Sequence, residues 1–192
     1  MINVGKKIVN NDLQPNDVVT SVTVEKTCEN DLAKIIETLA KGFELTREEV
    51  FRQFVNSKML IDESVKLVDR NTNDIYGLLT LCEYPIMFGS PIMEVERGIG
   101  EYLSQYKQVN GHAFVIDKRL RGSGLDKEML YKNLSYLTDN YDFIWIGVEK
   151  DLKSHNYWKR LGFVEIFSID EATFYILPLS KRFVEDIYIG SW

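Results

Sequence analysis

The sequence predicts a single α/β domain built on a mixed, mostly antiparallel, twisted sheet of about seven strands flanked by helices. Three observations lead to this prediction. The chain has 192 residues, of which 45% are hydrophobic and 27% charged, as in one globular domain. Segments rich in β-branched residues alternate with segments whose apolar residues recur every three or four positions. In the second half, the order strand, short turn, helix, strand predicts one parallel pair within an otherwise antiparallel sheet.

The first half begins with one strand and two helices. Residues 18–24 are rich in β-branched side chains and predict a strand. A helix follows, with Asp31 among its cap candidates and Gly42 as its stop. Thr46, with Glu49 three residues later, forms a capping box that predicts the start of a second helix.

A hairpin and an irregular stretch come next. Residues 64–69 and 75–82 predict two antiparallel strands joined by a polar turn at 70–73. Residues 84–110 contain two prolines and a glycine near their start, and we interpret them as an insertion.

The second half is more regular. Its predicted elements are, in order, a strand at 113–117, a turn at 118–124, a helix at 125–137, a strand at 143–148, a helix at 154–161 and two strands at 164–168 and 172–177. The aromatic-rich tail, 180–192, has two interpretations: it packs on the molecule's own surface, or it joins a second subunit in a homodimer. His155 is expected on the solvent side of the last helix.

Composition excludes several classes of function. A formal charge of −6 and an isoelectric point near 5.1 argue against a general binder of nucleic acid or anionic membranes, which attract clustered Lys and Arg. No stretch approaches the ~20 apolar residues of a membrane helix, and the start of the chain lacks a signal-peptide core. With only two histidines and the distant Cys28 and Cys82, a structural zinc site would lack ligands. We therefore expect a soluble, cytoplasmic protein without a bound metal.

The turn Arg121-Gly122-Ser123-Gly124 joins a buried strand to the start of a helix. Free backbone N–H groups and the helix dipole make such a turn a natural anion site, and glycines let the backbone close on a phosphate. A glycine-rich reversal with no ligand is the alternative. Two known phosphate loops are excluded: the Walker pattern is missing, and the dinucleotide fingerprint needs a glycine where Lys127 stands.

The order of the parts extends this interpretation. A strand HAFVID, a turn RLRGSG, an apolar helix, a strand FIWIGV and a helix ending in WKRLGF follow one another. In that order the chain resembles the GNAT acyltransferases over most of its length, most specifically at 116–129 and 158–163. The resemblance implies a GNAT-like fold in which the strand ending at Ile116 diverges from the strand at 143–148, and the pantetheine arm of coenzyme A lies in the gap.

The family's phosphate turn fits this chain in two frames. Residues 119–124 match its letters directly. Residues 121–126 place Met129 and Leu130 at the family's apolar helix positions, with Asp126 where Gly or Ala is usual, and we prefer this frame. The cofactor-binding residues that the resemblance then implies are Val115, Ile116, Lys118, Arg121, Gly122, Ser123, Gly124, Asp126 and Trp158. Asp126 has a second interpretation, as a carboxylate that interacts with the dipole of its own helix.

The resemblance implies transfer of an acyl group from a thioester to an amine, which needs a proton donor and a proton acceptor. At the position of the family's acidic Tyr stands Trp158, whose indole N–H is a poor acid. Tyr157 beside it is the candidate substitute. The alternative is that both rings serve packing.

Candidates for the base are Glu94 and Glu96 in the insertion, His112 at a strand entrance and Glu149 at a strand's C-terminal end. Each is alternatively an exposed surface group, and a water chain is a further route for the proton.

The sequence thus favours an acetyl-CoA-dependent N-acetyltransferase that acts on a primary amine of a small molecule or peptide. One rival is a non-catalytic acyl-CoA-binding or regulatory module, because Trp158 and Asp126 depart from the family. The other is a relative in fold alone that binds another protein.

Overall fold

A computed structural model describes residues 21–56, 58–83, 101–169 and 171–189 of the chain. The described residues form one sheet of seven strands in the order β1-β2-β3-β4-β5-β7-β6. The strands are Val22–Lys26 (β1), Val65–Asp69 (β2), Ile75–Cys82 (β3), Gln108–Ile116 (β4), Phe143–Glu149 (β5), Val164–Ser168 (β6) and Ala172–Pro178 (β7). Only β4 and β5 run parallel, and every other neighbouring pair is antiparallel. The predicted mixed, mostly antiparallel sheet flanked by helices is confirmed.

The α-helices with defined bounds are Leu32–Phe43 (α1), Arg47–Val50 (α2), Leu125–Leu137 (α3), His155–Arg160 (α4) and Lys181–Ile189 (α5). A π-helical turn, Phe51–Val55, continues α2. None of the helices within the described ranges is long and apolar enough to cross a membrane.

The helices cover the two faces of the sheet, which we call face A and face B. On face A, α3 and α4 pack on a core that includes Phe114, Ile144 and Ile146. Because side chains alternate along a strand, Val115 of β4 and Trp145 of β5 lie on face B. There α1, α2 and the π-helical turn cover β3 and β4, while residues 101–106 and α5 cover β5 and β7.

The predicted capping box at the start of α2 is present. The Thr46 hydroxyl oxygen accepts from the Glu49 N–H at 3.2 Å, and the Glu49 carboxylate accepts from the Thr46 N–H at 2.8 Å. The predicted strands at 64–69 and 75–82 also form, as an antiparallel hairpin.

Gly42 does not end α1, which continues to Phe43 and ends at Glu44 in the left-handed region with φ 57°. A Cβ on Gly42 would lie 2.6 Å from Cγ1 of Val115. Gly42 therefore permits a close approach of α1 to β4, and its prediction as a stop signal was wrong.

Strand β4 begins at Gln108, five residues earlier than the sequence predicts. Most of the predicted insertion lies outside the described residues, and so do Glu94, Glu96 and the first residues of the predicted strand at 18–24. The tail forms α5, which packs on the molecule itself: Phe183 is fully buried and stacks on Phe143 with ring centroids 4.6 Å apart.

Candidate functional site

A gap opens between the two parallel strands at the centre of the sheet. β4 and β5 pair only from Gln108 with Phe143 to Asn110 with Trp145, although both strands continue beyond those residues. Backbone N–H and C=O groups that face such a gap need partners, because unpaired buried groups are costly. The gap can therefore take an extended ligand that carries amide groups.

The turn that follows β4 presents backbone donors at the C-terminal end of this gap. Within the described residues, the N–H groups of Gly122, Gly124 and Asp126 donate to no protein acceptor, whereas those of Arg121 and Ser123 bond to the preceding 3₁₀ turn. Gly122 and Gly124 have φ of 81° and 88°, which favours glycine. Left-handed residues in such a turn make successive N–H groups converge on an anion.

The two arginines of the turn have different environments. Arg119 donates from Nε and Nη2 to the two carboxylate oxygens of Asp117 at 2.9 and 2.7 Å, and its guanidinium lies 5.1 Å from the centre of the Tyr76 ring. Arg121 is exposed and forms no ion pair within the described residues. Of these two arginines, Arg121 is the one whose charge is not already paired within the described residues, which favours the frame 121–126.

Helix α4 turns three unpaired polar atoms towards the core on face A. Ser154 Oγ, Tyr157 Oη and Trp158 Nε1 are buried and have no hydrogen-bond partner within the described residues. Their spacing, i, i+3 and i+4, places them on one side of the helix. The Phe114 ring of β4 lies 6.3 Å from the Tyr157 ring and 5.4 Å from the Trp158 ring. Phe114 belongs to the part of β4 that has left β5, so the Tyr157 and Trp158 rings pack against the strand that borders the gap.

Tyr157 also interacts with the turn. Burial raises the pKa of its phenol, and interaction with the Asp126 carboxylate raises it further, although the two groups do not meet the geometry of an ordinary hydrogen bond. The phenol therefore stays protonated at neutral pH and can donate a hydrogen bond, and its raised pKa makes it a weaker acid than an ordinary tyrosine.

On face B, His112 occupies an irregular position in β4. Thr80 pairs with Ala113 and Leu81 with Gly111, so His112 is the extra residue of a β-bulge. Its Nε2 donates to the Gln53 carbonyl oxygen at 3.1 Å, in the π-helical turn. Burial lowers the pKa of His112 to about 4, so the ring is neutral at pH 7.

Glu149, the last residue of β5, is half-buried and lies on the same face as Trp145 by alternation along the strand. Its carbonyl oxygen accepts from His155 Nε2 at 3.0 Å, and His155 Nδ1 accepts from the Tyr175 hydroxyl at 2.9 Å. His155 therefore links α4 to β5 and β7, and its prediction on the solvent side was wrong.

Sequence reasoning did not identify Phe114, Asn110 or Gln53 as neighbours of the gap. A signal for the first two exists: in the strand sequence QVNGHAFVI, a polar residue and a glycine interrupt an apolar run, as at a bulge. Gln53 has no such signal, because its carbonyl approaches His112 across 59 positions of the chain.

Solved structures with a similar fold include N-acetyltransferases of the GNAT family. A GNAT-family N-acetyltransferase from Escherichia coli, in complex with CoA, matches with a TM-score of 0.60 and 15% identity, over 85% of this chain and 84% of that chain. The chain has the GNAT fold. A GNAT-family acetyltransferase from Staphylococcus aureus has a TM-score of 0.54 and 16% identity, over 82% of this chain and 99% of that one.

Another structure with the GNAT fold, the NatC complex bound to a Gag peptide and CoA, has a TM-score of 0.57 and 15% identity, over 83% of this chain and 99% of that one. No protein-family model and no curated protein matches the sequence. Identities this low show a shared fold and not a shared activity.

The GNAT fold of this chain arranges its polar groups on two sides of one gap. The glycine turn and α4 lie towards face A, while His112 and Glu149 lie towards face B. Within the described residues, no group of three or more His, Cys, Asp or Glu side chains is placed to hold a metal ion. A ligand in the gap would meet donors on one side and proton acceptors on the other.

Proposed function

We propose that the protein is an N-acetyltransferase that moves an acetyl group from acetyl-CoA to a primary amine of a small molecule or peptide. The observation that carries this proposal is the set of free N–H groups at Gly122, Gly124 and Asp126, next to the gap between β4 and β5. A pyrophosphate needs such donors, and a pantetheine arm carries the amides that can pair with unpaired strand backbone. The neighbour solved with CoA supports the choice of ligand.

The proposed contacts divide coenzyme A into three parts. The pyrophosphate binds the turn from Arg121 to Asp126, with Lys118 nearby. The pantetheine arm pairs with the backbone of Val115 and Ile116. The indole N–H of Trp158, buried without a partner within the described residues, donates to the acyl end of the ligand.

In the proposed reaction, the amine nitrogen attacks the thioester carbon, the C–S bond breaks, and an amide and coenzyme A form. Tyr157 donates a proton to the departing sulfur, which otherwise leaves as a thiolate. Its buried hydroxyl, unpaired within the described residues, supports this role.

The proton lost by the amine goes to His112 or to Glu149. His112 is a weak base because burial lowers its pKa to about 4. An amine that has attacked the thioester is far more acidic than a free alkylammonium, so a weak base can take its proton at that stage. Glu149 lies across the gap on the same face and is the second acceptor that we propose.

The acceptor is defined here only as a primary amine. The acidic first half of the chain favours a cationic acceptor, and a GNAT-fold structure that contains a peptide keeps peptides among the candidates. We place the protein in the cytoplasm, because Cys28 and Cys82 are reduced and not joined in a disulfide bond. A homodimer is compatible with this function but is not required for it.

Calorimetric titration with acetyl-CoA, combined with thiol release in the presence of a panel of amines, tests the proposal. Gly124→Ala forces a side chain into a left-handed position and should reduce acetyl-CoA affinity at least tenfold, with a modest loss of stability. Asn73→Ala is the matched control, because Asn73 has φ of 60° in the β2–β3 turn. Equal affinity in both variants, or no binding to the wild type at millimolar acetyl-CoA, would overturn the assignment of the turn.

A non-catalytic acyl-CoA-binding module is the second candidate, because Asp126 carries a negative charge in the turn and Trp158 replaces an acid. The two candidates differ in turnover. For an enzyme, we expect Tyr157→Phe to lower kcat about 10²–10⁴-fold with little change in acetyl-CoA affinity. Binding without thiol release for every amine tested would favour the binding module.

A further inference from the structure

Asn110 is a polar residue at the centre of the sheet. It is 1% exposed, and both atoms of its side-chain amide have partners. Nδ2 donates to the Trp145 carbonyl oxygen at 3.2 Å. Oδ1 accepts from the Cys82 thiol at 3.2 Å and lies 3.3 Å from Nδ1 of His112. The amide has one orientation, because turning it over would place Oδ1 against the Trp145 carbonyl oxygen, two acceptors facing each other.

Asn110 lies at the point of the sheet where β4 and β5 separate. Asn110 and Trp145 are the last paired residues of β4 and β5, so the side-chain bond to the Trp145 carbonyl lies where the gap begins. The next irregularity is the bulge at His112, two residues along β4. Asn110 thus contacts both strands at the point where they separate.

His112 has an acceptor beside each ring nitrogen. The Gln53 carbonyl oxygen accepts a hydrogen bond from the N–H of Nε2. In the neutral ring, Nδ1 therefore carries a lone pair, next to Asn110 Oδ1. After Nδ1 takes up a proton, its new N–H has Asn110 Oδ1 as an acceptor. The other groups facing this arrangement within the described residues are the Phe54 ring, 5.0 Å away by centroids, and the Cys82 thiol. The protonated ring is the form in which both nitrogens are satisfied.

We propose that Asn110 is a positioning residue of the acetyl-transfer site: its amide sets the point where β4 leaves β5 and supplies the acceptor for the proton that His112 takes up. The inference rests on the proposed function, because it uses His112 as proton acceptor. Asn110 itself does not touch the reacting atoms. It acts through His112 and through the width of the gap.

Histidine NMR tests this proposal without turnover. The chain has two histidines, so His155→Gln assigns both ring signals. The wild-type His112 ring should be neutral at pH 7 with its proton on Nε2. Asn110→Asp places a carboxylate beside Nδ1 and should raise the titration midpoint of His112 by at least one pH unit. Cys82→Ala is the control, because it removes a partner of Asn110 Oδ1 without touching the ring, and it should leave the midpoint unchanged.

Kinetic measurements then distinguish two roles of Asn110: positioning of the site and stabilisation of the fold alone. In Asn110→Asp, the acid limb of the kcat profile should move to higher pH together with the NMR midpoint. Asn110→Val, which removes the amide, should lower kcat at least tenfold while thermal melting shows a folded protein. An NMR midpoint that is equal in Asn110→Asp and wild type, or an unchanged kcat in Asn110→Val, would overturn the proposal. Failure of the wild type to bind acetyl-CoA would instead refute the proposed function. The NMR result would still show whether Asn110 Oδ1 contacts His112 Nδ1.

Discussion

Unpaired buried atoms mark the candidate site at the scale of single residues. Six buried side-chain polar atoms have no hydrogen-bond partner within the described residues, and three of them belong to Tyr157 and Trp158 of α4 and to Ser154, the N-cap residue of that helix. Each unsatisfied group costs about 1–3 kcal/mol unless a ligand or water pairs with it. The three atoms lie on one side of α4, beside the Phe114 ring of β4.

Removal of the carboxylate at Asp126 should strengthen coenzyme A binding. Asp126 lies in the turn whose N–H groups are free, where its charge opposes that of a pyrophosphate. A charge pair about 4 Å apart near water contributes ~1 kcal/mol. Asp126→Ala should therefore tighten acetyl-CoA binding about fivefold in calorimetry, and the pKa of Tyr157 should fall towards its ordinary value.

Glu128→Ala is the matched control for this prediction, since Glu128 is an exposed carboxylate in the same first turn of α3. Glu128→Ala should change the affinity for acetyl-CoA much less than Asp126→Ala does. Weaker binding in Asp126→Ala would indicate that the carboxylate organises the turn instead of opposing the ligand.

At the scale of elements, the separation of β4 from β5 depends on what packs against β4. A bulge at His112 shifts its register with β3, and α1 lies against Val115 at the position of Gly42. Both features act on the stretch of β4 that borders the gap. The width of the gap is therefore a property of several elements together.

Gly42→Ala should destabilise the protein although alanine is the better helix former. The added Cβ would lie 2.6 Å from Val115 Cγ1. Overpacking of this kind costs ~1–3 kcal/mol, while the gain in helix propensity is about 0.8–1 kcal/mol. The free energy of unfolding in urea should therefore fall in Gly42→Ala.

In a Val115→Ala background, Gly42→Ala should instead raise the free energy of unfolding, because the methyl groups of Val115 that would clash with the new Cβ are absent. A double-mutant cycle with both substitutions measures this coupling. If the changes in unfolding free energy of the two single variants simply add in the double variant, contact with Val115 is not the reason that residue 42 must be glycine.

At the scale of the whole molecule, a buried ion pair joins the start of the helical layer to the sheet. Lys66 of β2 donates to both carboxylate oxygens of Asp31 at 2.8 Å, and both residues are buried. Burial raises the pKa of Asp31, but the hydrogen bonds from Lys66 and from the Cys28 N–H outweigh it, so the pKa lies below its ordinary value. The pair links segments 35 positions apart.

This pair should make stability depend on pH in the acid range. A carboxylate whose folded pKa is depressed contributes stability above its unfolded pKa, ~3.9, and that contribution is lost as the pH falls through the folded pKa. At pH 7, Lys66→Met should cost ~3–5 kcal/mol in urea unfolding, because it leaves Asp31 buried and unpaired.

The double variant Asp31→Asn with Lys66→Met should recover much of that stability and should lose less than wild type between pH 5 and pH 2. Glu37→Gln, at an exposed pair with Lys41, is the control and should change stability little. An equal loss with acid in the double variant and wild type would contradict the assignment of acid sensitivity to this pair.

The elements that the sequence predicts are those with local causes. The capping box at Thr46 needs only residues three positions apart, and the glycines of the turn at 122–124 take backbone angles that favour glycine by themselves. The hairpin at 65–82 follows from alternation on both sides of a polar turn. The order of these parts along the chain was enough to predict the mixed sheet and the glycine turn between β4 and α3.

Tertiary structure alone decided the features that depend on contacts between distant segments. The role of Gly42 depends on Val115, the environment of His112 on Gln53, and the choice between Arg119 and Arg121 on which guanidinium is already bound to a carboxylate. The packing of Tyr157 and Trp158 of α4 against Phe114 likewise joins residues that are distant in the sequence. Local propensity determines which segments become strands, helices and turns, whereas burial and pairing across the chain determine which side chains remain free to bind and react.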